Sequence, residues 1–436
     1  MLLGVVLAMG CGGSPQGAGD MAGIDPNSPD LTPATPNIKH LVIVVQENHT
    51  FDTYFGRYCT APTGSNPTCT AGPACCEAAP PTDPSGASPV PLDDAANGGS
   101  DRNHTQACEL TEINGGKMDH FVTGATCSSA INFAIAPAAT VQTYHNYAAR
   151  YALADRYFQP LVGQSSSNDM YFAVARFAFK DNDLTPNAVG HGCWHLPGTT
   201  LTRFSGQTTI GDLLIQAGKG FAFYAEGYDA MQQASTCPSR PSDCTFSVPL
   251  VVPNPCIYDP SDVPFEYYAQ FANNGQYMKD YTNLAADITA GRLPEVAFVK
   301  ALTYKNEHPG FDTKISMGAA FVSQVVNKVM ASPYANDTLV LVTWDEGGGF
   351  YDHVPPPPNS TVDSQPYGTR VPMLAIGRFA KKNQVSHVVM EHSSILRFIE
   401  YNFLGATGQL MARDAVVNNL GSLLDSTQTG IVIPEN

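Results

Sequence analysis

Two acidic residues stand directly after an apolar, strand-like run. Residues 338–343 are apolar and β-branched, a pattern typical of a strand buried on both faces, and Asp345 and Glu346 follow them. Three glycines then permit backbone conformations that other residues avoid, and Asp352 and His353 come next. Ligands of open α/β sheets bind beyond the carboxyl ends of the strands. This order predicts a metal-assisted hydrolytic site. The alternative is a capped strand end with a solvated acidic loop.

A second apolar run has the same arrangement. Residues 38–46 predict the first core strand, and Glu47 and Asn48 come directly after it. Because the carboxyl ends of neighbouring parallel strands share one edge of a sheet, we expect these oxygen donors to approach the first acidic pair. The alternative interpretation is a helix cap formed by Asn48 or Thr50.

A serine at the start of a predicted helix is the candidate nucleophile. Ser165 follows the turn at Gly163 and precedes an apolar helical run. Amide N–H groups at a helix start face an incoming anion, which suits a nucleophile, although a plain helix cap is the commoner use of such a serine.

The candidate metal ligands are oxygen donors. Carboxylate and amide oxygens of this kind favour Mg²⁺, Ca²⁺ or Mn²⁺ over copper or structural zinc. A divalent ion beside the serine would lower the pKa of its hydroxyl group. The predicted ligands are Glu47, Asn48, Asp345, Glu346 and Ser165.

Three histidines could complete such a site. His104 lies in a polar loop, His308 follows a predicted strand at 295–301, and His353 follows the acidic pair. Histidines can hold phosphoryl oxygens or protonate a leaving group near pH 5–7. A lone loop histidine is more often a bystander, so His104 carries little weight by itself.

The composition excludes some classes of partner. The chain has 436 residues, of which 43% are hydrophobic and 14% are charged, and its net charge is −16. This charge argues against nucleic-acid binding and against docking on anionic membranes. An anionic substrate would have to be captured locally, by a metal ion or by histidines.

The cysteines and the N-terminus predict export. All eleven cysteines fall at or before Cys256, a density typical of an oxidising compartment. Leu2–Met9 is apolar, and Ala8-Met9-Gly10-Cys11 resembles a lipoprotein cleavage box. If Cys11 carries a lipid, the other ten cysteines could form five disulfides.

The domain boundaries follow from this interpretation. The predicted location is periplasmic, extracellular or lipid-anchored at the cell surface, and the oligomeric state stays open. We expect an export signal at 1–11, a flexible tether at 12–36, a catalytic domain at 37–424 and a tail at 425–436.

Alternating strand and helix patterns predict one large α/β domain. Cysteine- and proline-rich stretches at 59–101 and 237–256 are expected to form surface loops. Further strands are predicted at 221–225, 295–301 and 370–377, and helices at 140–157, 265–290 and 317–330.

Four segments, taken in chain order, resemble the phosphoesterase family. They are Gln46–Gly56 (QENHTFDTYFG), Gly115–Asp119 (GGKMD), Glu307–Pro309 (EHP) and Asp345–Pro356 (DEGGGFYDHVPP). The family contains bacterial and plant non-specific phospholipases C and a group of acid phosphatases. The resemblance implies an alkaline-phosphatase-like fold: a three-layer α/β sandwich whose mostly parallel central sheet is flanked by helices.

The resemblance also implies phosphate-ester hydrolysis and a role for each matching residue. Two acid-containing pairs would form the active centre, with Ser165 as nucleophile. Histidines would line the phosphate pocket, with polar residues in support. The matching residues are Glu47 and Asn48, then Asp345 and Glu346, then His104, His308 and His353, and finally Asn168 and Asp352.

The sequence departs from the family pattern in places. His49 stands where the family usually has Arg, and His120 occupies a common Gly position. Gln164 replaces the usual Pro before the nucleophile, so Ser166 or Ser167 could serve instead. The long C-terminal domains of large bacterial phospholipases C are not matched, which favours the compact acid-phosphatase-like members.

Two classes of function remain open. The first is an exported hydrolase of phosphate monoesters or phospholipids, in which acid phosphatase and phospholipase C are about equally favoured. The second is a non-catalytic surface protein that binds phosphate or phospholipid head groups. The combined presence of the serine, both acidic pairs and the histidines favours the hydrolase.

Overall fold

The computed structural model describes residues 36–195, 198–244 and 255–435. The predicted export signal, and the predicted tether up to residue 35, lie outside this range. From Pro36 onward the chain forms one compact unit. None of the helices in the described part is long and apolar enough to cross a membrane.

Twelve strands occur in the described residues. They are β1 His40–Gln46, β2 Val90–Pro91, β3 Ala134–Ile135, β4 Ala152–Ala154, β5 Thr185–Pro186, β6 Leu201–Thr202, β7 Phe221–Ala225, β8 Met278–Asp280, β9 Val296–Lys300, β10 Thr338–Trp344, β11 Met373–Ile376 and β12 Gln384–Ser386.

Thirteen α-helices accompany them within the same described ranges. They are α1 Phe51–Phe55, α2 Asp94–Gly99, α3 Gln106–Ile113, α4 Ala138–Arg150, α5 Ser165–Asp169, α6 Tyr171–Val174, α7 His191–Trp194, α8 Ile210–Gln216, α9 Tyr228–Gln233, α10 Thr282–Thr289, α11 Ile315–Met330, α12 His392–Ile399 and α13 Ser426–Thr429.

Eight strands form one central sheet in the order β12-β4-β11-β10-β1-β9-β7-β8. All neighbours pair in parallel except those of β11, which runs antiparallel to β10 and β4. The two runs with acidic pairs at their ends lie side by side, with His40 opposite Thr338 and Gln46 opposite Trp344. Every residue of β10 is buried, which explains its continuous apolar sequence.

The predicted α/β architecture with a mostly parallel sheet is confirmed, and so are the strands predicted near 38–46, 221–225, 295–301, 338–343 and 370–377. Two helix predictions are wrong in extent.

The helix predicted at 140–157 ends at Arg150, because Ala152–Ala154 form β4 between β11 and β12. The segment 265–290 holds a 3₁₀ turn, β8 and the short helix α10 instead of one long helix.

Ten cysteines form five disulfides, the number that the sequence allowed without Cys11. The pairs are Cys59–Cys76, Cys69–Cys75, Cys108–Cys127, Cys193–Cys237 and Cys244–Cys256. Part of the loop at 59–101 is not a surface feature, since Cys76 and Glu77 are buried. The predicted tail also packs onto the domain, where Ile433 is buried.

Candidate active site

Three parallel strands deliver polar residues to the same edge of the sheet. Glu47 follows β1, Asp345 follows β10, and Lys300 is the last residue of β9. Because β1 pairs in parallel with both β10 and β9, these ends lie next to one another. All three residues are buried.

A hydrogen bond joins the turns after β1 and β10. Asn48 has a left-handed backbone with φ of 59°, a conformation that asparagine tolerates better than most residues. Its N–H group donates to Asp345 Oδ1 over 3.0 Å. A Cβ at Gly348 would lie 2.3 Å from the Asn48 carbonyl oxygen, so only glycine fits between the two turns.

The candidate nucleophile points at both acid-containing pairs. Ser165 is the first residue of α5, and its Oγ lies 3.3 Å from Asn48 Oδ1 and 3.3 Å from Glu346 Oε1. The turn before it needs a glycine, because Gly163 has φ of 127° and a Cβ there would lie 2.6 Å from the Asp181 carboxylate.

Two side chains hold the Ser165 turn. Asn168 accepts a hydrogen bond from the Leu161 N–H group and donates to the Gly163 carbonyl. Glu109 accepts from the Gly163 N–H group over 2.9 Å. Sequence reasoning missed Glu109, which lies in the middle of α3 with no strand end beside it.

The neighbouring serines make different contacts. Ser167 Oγ donates to the Gln164 carbonyl over 2.7 Å, as in an ordinary first helical turn. The buried Ser166 Oγ has no hydrogen-bond partner among the described residues. Of these three serines, Ser165 is the one whose hydroxyl group lies within hydrogen-bond distance of Asn48 and Glu346.

Two of the predicted histidines lie beside this cluster. His104 Nε2 is 3.5 Å from Glu346 Oε1, while its Nδ1 lies 2.8 Å from the Arg102 carbonyl oxygen. The Nδ1–H group therefore donates to that carbonyl, and Nε2 is directed at the site. The ring centroids of His104 and His308 are 6.3 Å apart.

The third histidine is part of a separate network. His353 Nδ1 lies 2.8 Å from Asp52 Oδ2, and its Nε2 is 3.3 Å from Glu77 Oε2. Asp352 pairs with the fully buried Arg370 over 2.8 Å. Among the hydrogen bonds of the described residues, the structure does not join Asp352 or His353 to Ser165, and their catalytic role stays a prediction.

Lys300 and Asp169 are functional candidates that the sequence interpretation did not single out. The Lys300 ammonium group makes an ion pair with Glu47 and lies 3.1 Å from Asp169 Oδ2. The available signal was a lysine at the end of an otherwise apolar buried strand, where a charge is costly unless it is paired.

Burial makes the negative charge of this cluster expensive. It raises the pKa of Glu47 to about 7, and the neighbouring Asp345 adds to the effect. Burial also raises the pKa values of Asp169, Asp345 and Glu346. Such a group of carboxylates is a favourable environment for a cation.

Residues 38–404 match the phosphoesterase family, and this range contains all the residues of the site described above. The chain belongs to the phosphoesterase family. The matched range includes both acid-containing pairs, Ser165 and Lys300. The resemblance stated from the four sequence segments is thereby confirmed.

Relatives of this phosphoesterase include phospholipases C. Non-hemolytic phospholipase C of Pseudomonas aeruginosa is 34% identical over 149 residues, which are 28% of this chain and 21% of that protein. Phospholipase C B of Mycobacterium tuberculosis is 24% identical over 444 residues, covering 88% of this chain and 77% of that protein. The chain thus spans about a fifth of the first relative and about three quarters of the second.

Solved structures similar to this phosphoesterase are distant in sequence. A protein of the alkaline phosphatase superfamily from Vibrio parahaemolyticus has a TM-score of 0.39 and 11% identity, covering 88% of this chain and 71% of that one. A 2-O GAG sulfatase has a TM-score of 0.40 and 12% identity, covering 90% and 74%.

The donor set of this phosphoesterase fits a divalent cation. Carboxylate oxygens of Glu47, Asp169 and Asp345 lie within 4.8 Å of one another. Glu47 Oε2 and Asp345 Oδ2 are buried and accept no hydrogen bond within the described residues. With Asn48 Oδ1 and Ser165 Oγ beside them, all donors are oxygens, the ligands of Mg²⁺, Ca²⁺ and Mn²⁺.

Proposed function

We propose that this protein hydrolyses phosphate esters with Ser165 as the nucleophile. The observation that carries the proposal is the position of Ser165 Oγ, 3.3 Å from both Asn48 Oδ1 and Glu346 Oε1. Residues far apart in the chain converge on one hydroxyl group, as a nucleophile and its supporting groups require. Membership of the phosphoesterase family and the phospholipase C relatives support the same class of reaction.

The residues have separate roles in this proposal. Ser165 Oγ attacks phosphorus, the ester oxygen leaves, and water hydrolyses the resulting phosphoserine. His104 and His308 hold phosphoryl oxygens and protonate the leaving oxygen. A divalent ion, when bound, supplies positive charge near the serine hydroxyl and the phosphoryl group. Its ligands would be Glu47, Asn48, Asp345, Glu346 and Ser165.

Replacing Ser165 tests the nucleophile. We expect Ser165→Ala to lower turnover of p-nitrophenyl phosphate by at least about a thousandfold, because removal of a nucleophile removes the covalent route. Ser167→Ala is the matched control, since Ser167 bonds to the Gln164 carbonyl, and it should keep most of the activity. Near-normal turnover by Ser165→Ala would refute the assignment.

The substrate class is open to a direct comparison. The phospholipase C relatives favour phospholipids, while the resemblance to the acid phosphatases of the family favours phosphate monoesters. Purified protein with added Mn²⁺ is given phosphatidylcholine and p-nitrophenyl phosphate in parallel. Release of diacylglycerol identifies a phospholipase C, and release of nitrophenol alone identifies a phosphatase. Binding without any product supports the non-catalytic alternative.

We also propose that the protein is exported and anchored through a lipid on Cys11. Five disulfides in the described residues support an oxidising compartment. Labelled palmitate should enter the wild-type protein in cells. It should be lost from Cys11→Ser, and equal labelling of the two proteins would reject the anchor.

A further inference from the structure

One buried lysine lies among the acidic residues of the active site. Lys300 ends β9, and its side chain is only 3% exposed. Its ammonium group contacts Glu47 and lies 3.1 Å from Asp169 Oδ2. An unpaired ammonium group would be very unfavourable here, so these two carboxylates fix its position.

The residues around Lys300 fall into two groups by their contacts, which we call two sides of the cluster. On the lysine side, Glu47 and Asp169 contact the ammonium group. On the serine side, Asp345 Oδ2 accepts no hydrogen bond within the described residues, and Asn48 Oδ1 and Ser165 Oγ lie within 3.3 Å of each other. Glu47 belongs to both sides, because its Oε2 also has no hydrogen-bond partner there.

The acidic residues are close enough together to serve two cations. Carboxylate oxygens of Glu47, Asp169 and Asp345 lie within 4.8 Å of one another. Two-metal hydrolytic sites place their ions about 3.5–4 Å apart and share carboxylate ligands. In this protein the lysine ammonium group lies where a second ion would bind Glu47 and Asp169.

We propose that Lys300 is a built-in cation that restricts the active site to a single divalent ion. It is a positioning residue: it holds Glu47 towards the serine side and neutralises Asp169, which would otherwise attract a second ion. This inference rests on the proposed function for the identity of the site. It extends that function by stating how many metal ions the site binds and on which side of Glu47.

Metal stoichiometry tests the inference without any turnover. Titration calorimetry of the metal-free protein with Mn²⁺ should give a single equivalent for the wild type. Lys300→Ala should bind a second equivalent, and its electron paramagnetic resonance spectrum should show two coupled Mn²⁺ ions. Lys300→Arg keeps the positive charge and should return to a single equivalent.

Lys305→Ala is the matched control. Lys305 also bridges two carboxylates, with its Nζ 2.8 Å from Glu226 Oε1 and 3.1 Å from Asp243 Oδ2, but it lies away from Ser165 near the surface. This variant should bind a single equivalent, like the wild type. A second equivalent in Lys305→Ala would show that loss of any bridging lysine creates a metal site, and would overturn the inference.

The remaining outcomes are also decisive. Two equivalents in the wild type, or one uncoupled ion in Lys300→Ala, would overturn the inference.

If Lys300→Ala folds only when Mn²⁺ is added, as judged by circular dichroism, the ion has replaced the ammonium group and the inference stands. Failure to fold even with Mn²⁺ would reject it. The expected stoichiometries without ester hydrolysis would uphold the inference and reject the proposed function.

Discussion

The protein contains two buried clusters of charge with opposite properties. In the first, defined by Arg370 with Asp52, Asp352 and His353, ion pairs and hydrogen bonds engage each carboxylate. We call it the arginine cluster. In the second, the serine cluster around Ser165, the buried oxygens Glu47 Oε2 and Asp345 Oδ2 accept no hydrogen bond within the described residues. The same residue types thus form a structural anchor in one place and an open ligand site in the other.

The pKa values express the same difference. Burial opposes ionisation of Asp52, but His353 and Arg370 outweigh it and lower the pKa of Asp52 below its usual value. In the serine cluster, burial and the neighbouring Asp345 raise the pKa of Glu47 to about 7. Burial raises the pKa of the other carboxyl group of the arginine cluster, Asp352, so the contrast holds for Asp52 and Glu47. Ionised Asp52 favours the folded state at neutral pH, whereas ionisation of Glu47 opposes it until a cation binds.

Removal of the arginine should have the largest effect on stability. We expect Arg370→Met to lower the free energy of unfolding by about 3–5 kcal/mol, because Asp52 and Asp352 would stay buried without their partner. Urea unfolding measures this change. Arg378→Met is the control, since Arg378 makes hydrogen bonds at the surface, and its stability should stay near that of the wild type. Equal stability of the two variants would remove the distinction between the clusters.

In the serine cluster, ionisation of the Glu47 carboxyl group should lower the free energy of unfolding instead of raising it. A carboxyl group whose pKa is raised on folding stabilises the protein at low pH and loses that contribution as the pH rises. For metal-free protein, we expect the free energy of unfolding to fall by on the order of 2–3 kcal/mol between pH 4.5 and pH 7 through Glu47. Glu47→Gln should reduce this fall in the free energy of unfolding. An unchanged fall would show that Glu47 is not the group responsible.

The smallest effect on stability is expected at His353, and comparing it with His104 separates a structural from a catalytic histidine. His353→Gln should cost about 1–2 kcal/mol of stability through its lost ion pair, and should change turnover of p-nitrophenyl phosphate by less than about threefold. His104→Gln should lower turnover about a hundredfold with little loss of stability. If His353→Gln loses turnover as severely as His104→Gln, the family-based prediction of a catalytic His353 is correct.

Much of the candidate active site was predictable because it lies at strand ends. Apolar runs identified β1 and β10, and the polar residues directly after them could be assigned to one edge of a parallel sheet. Lys300 was missed because it ends a run that was interpreted only as a strand. Asp169 was missed because its position in a helix gives no sign of the strand end that it faces.

Other errors came from long-range packing. Ala152–Ala154 continue a helical spacing of apolar residues, and they form a strand only because β11 and β12 lie on either side. In 265–290, aromatic residues at helix-like intervals pack instead against one another and the sheet, as Phe265 does with Phe221 and Phe298. The direction of the His353 side chain, towards Asp52, depends on a residue about three hundred positions earlier in the chain.

The contact between Gly348 and Asn48 couples two turns that lie far apart in the sequence. Any side chain at position 348 would press on the Asn48 backbone. It would thereby displace the amide group that Asn48 presents to Ser165. The freedom of either turn to change during evolution is therefore limited by the other, and an altered residue in one would require a compensating rearrangement across the sheet edge.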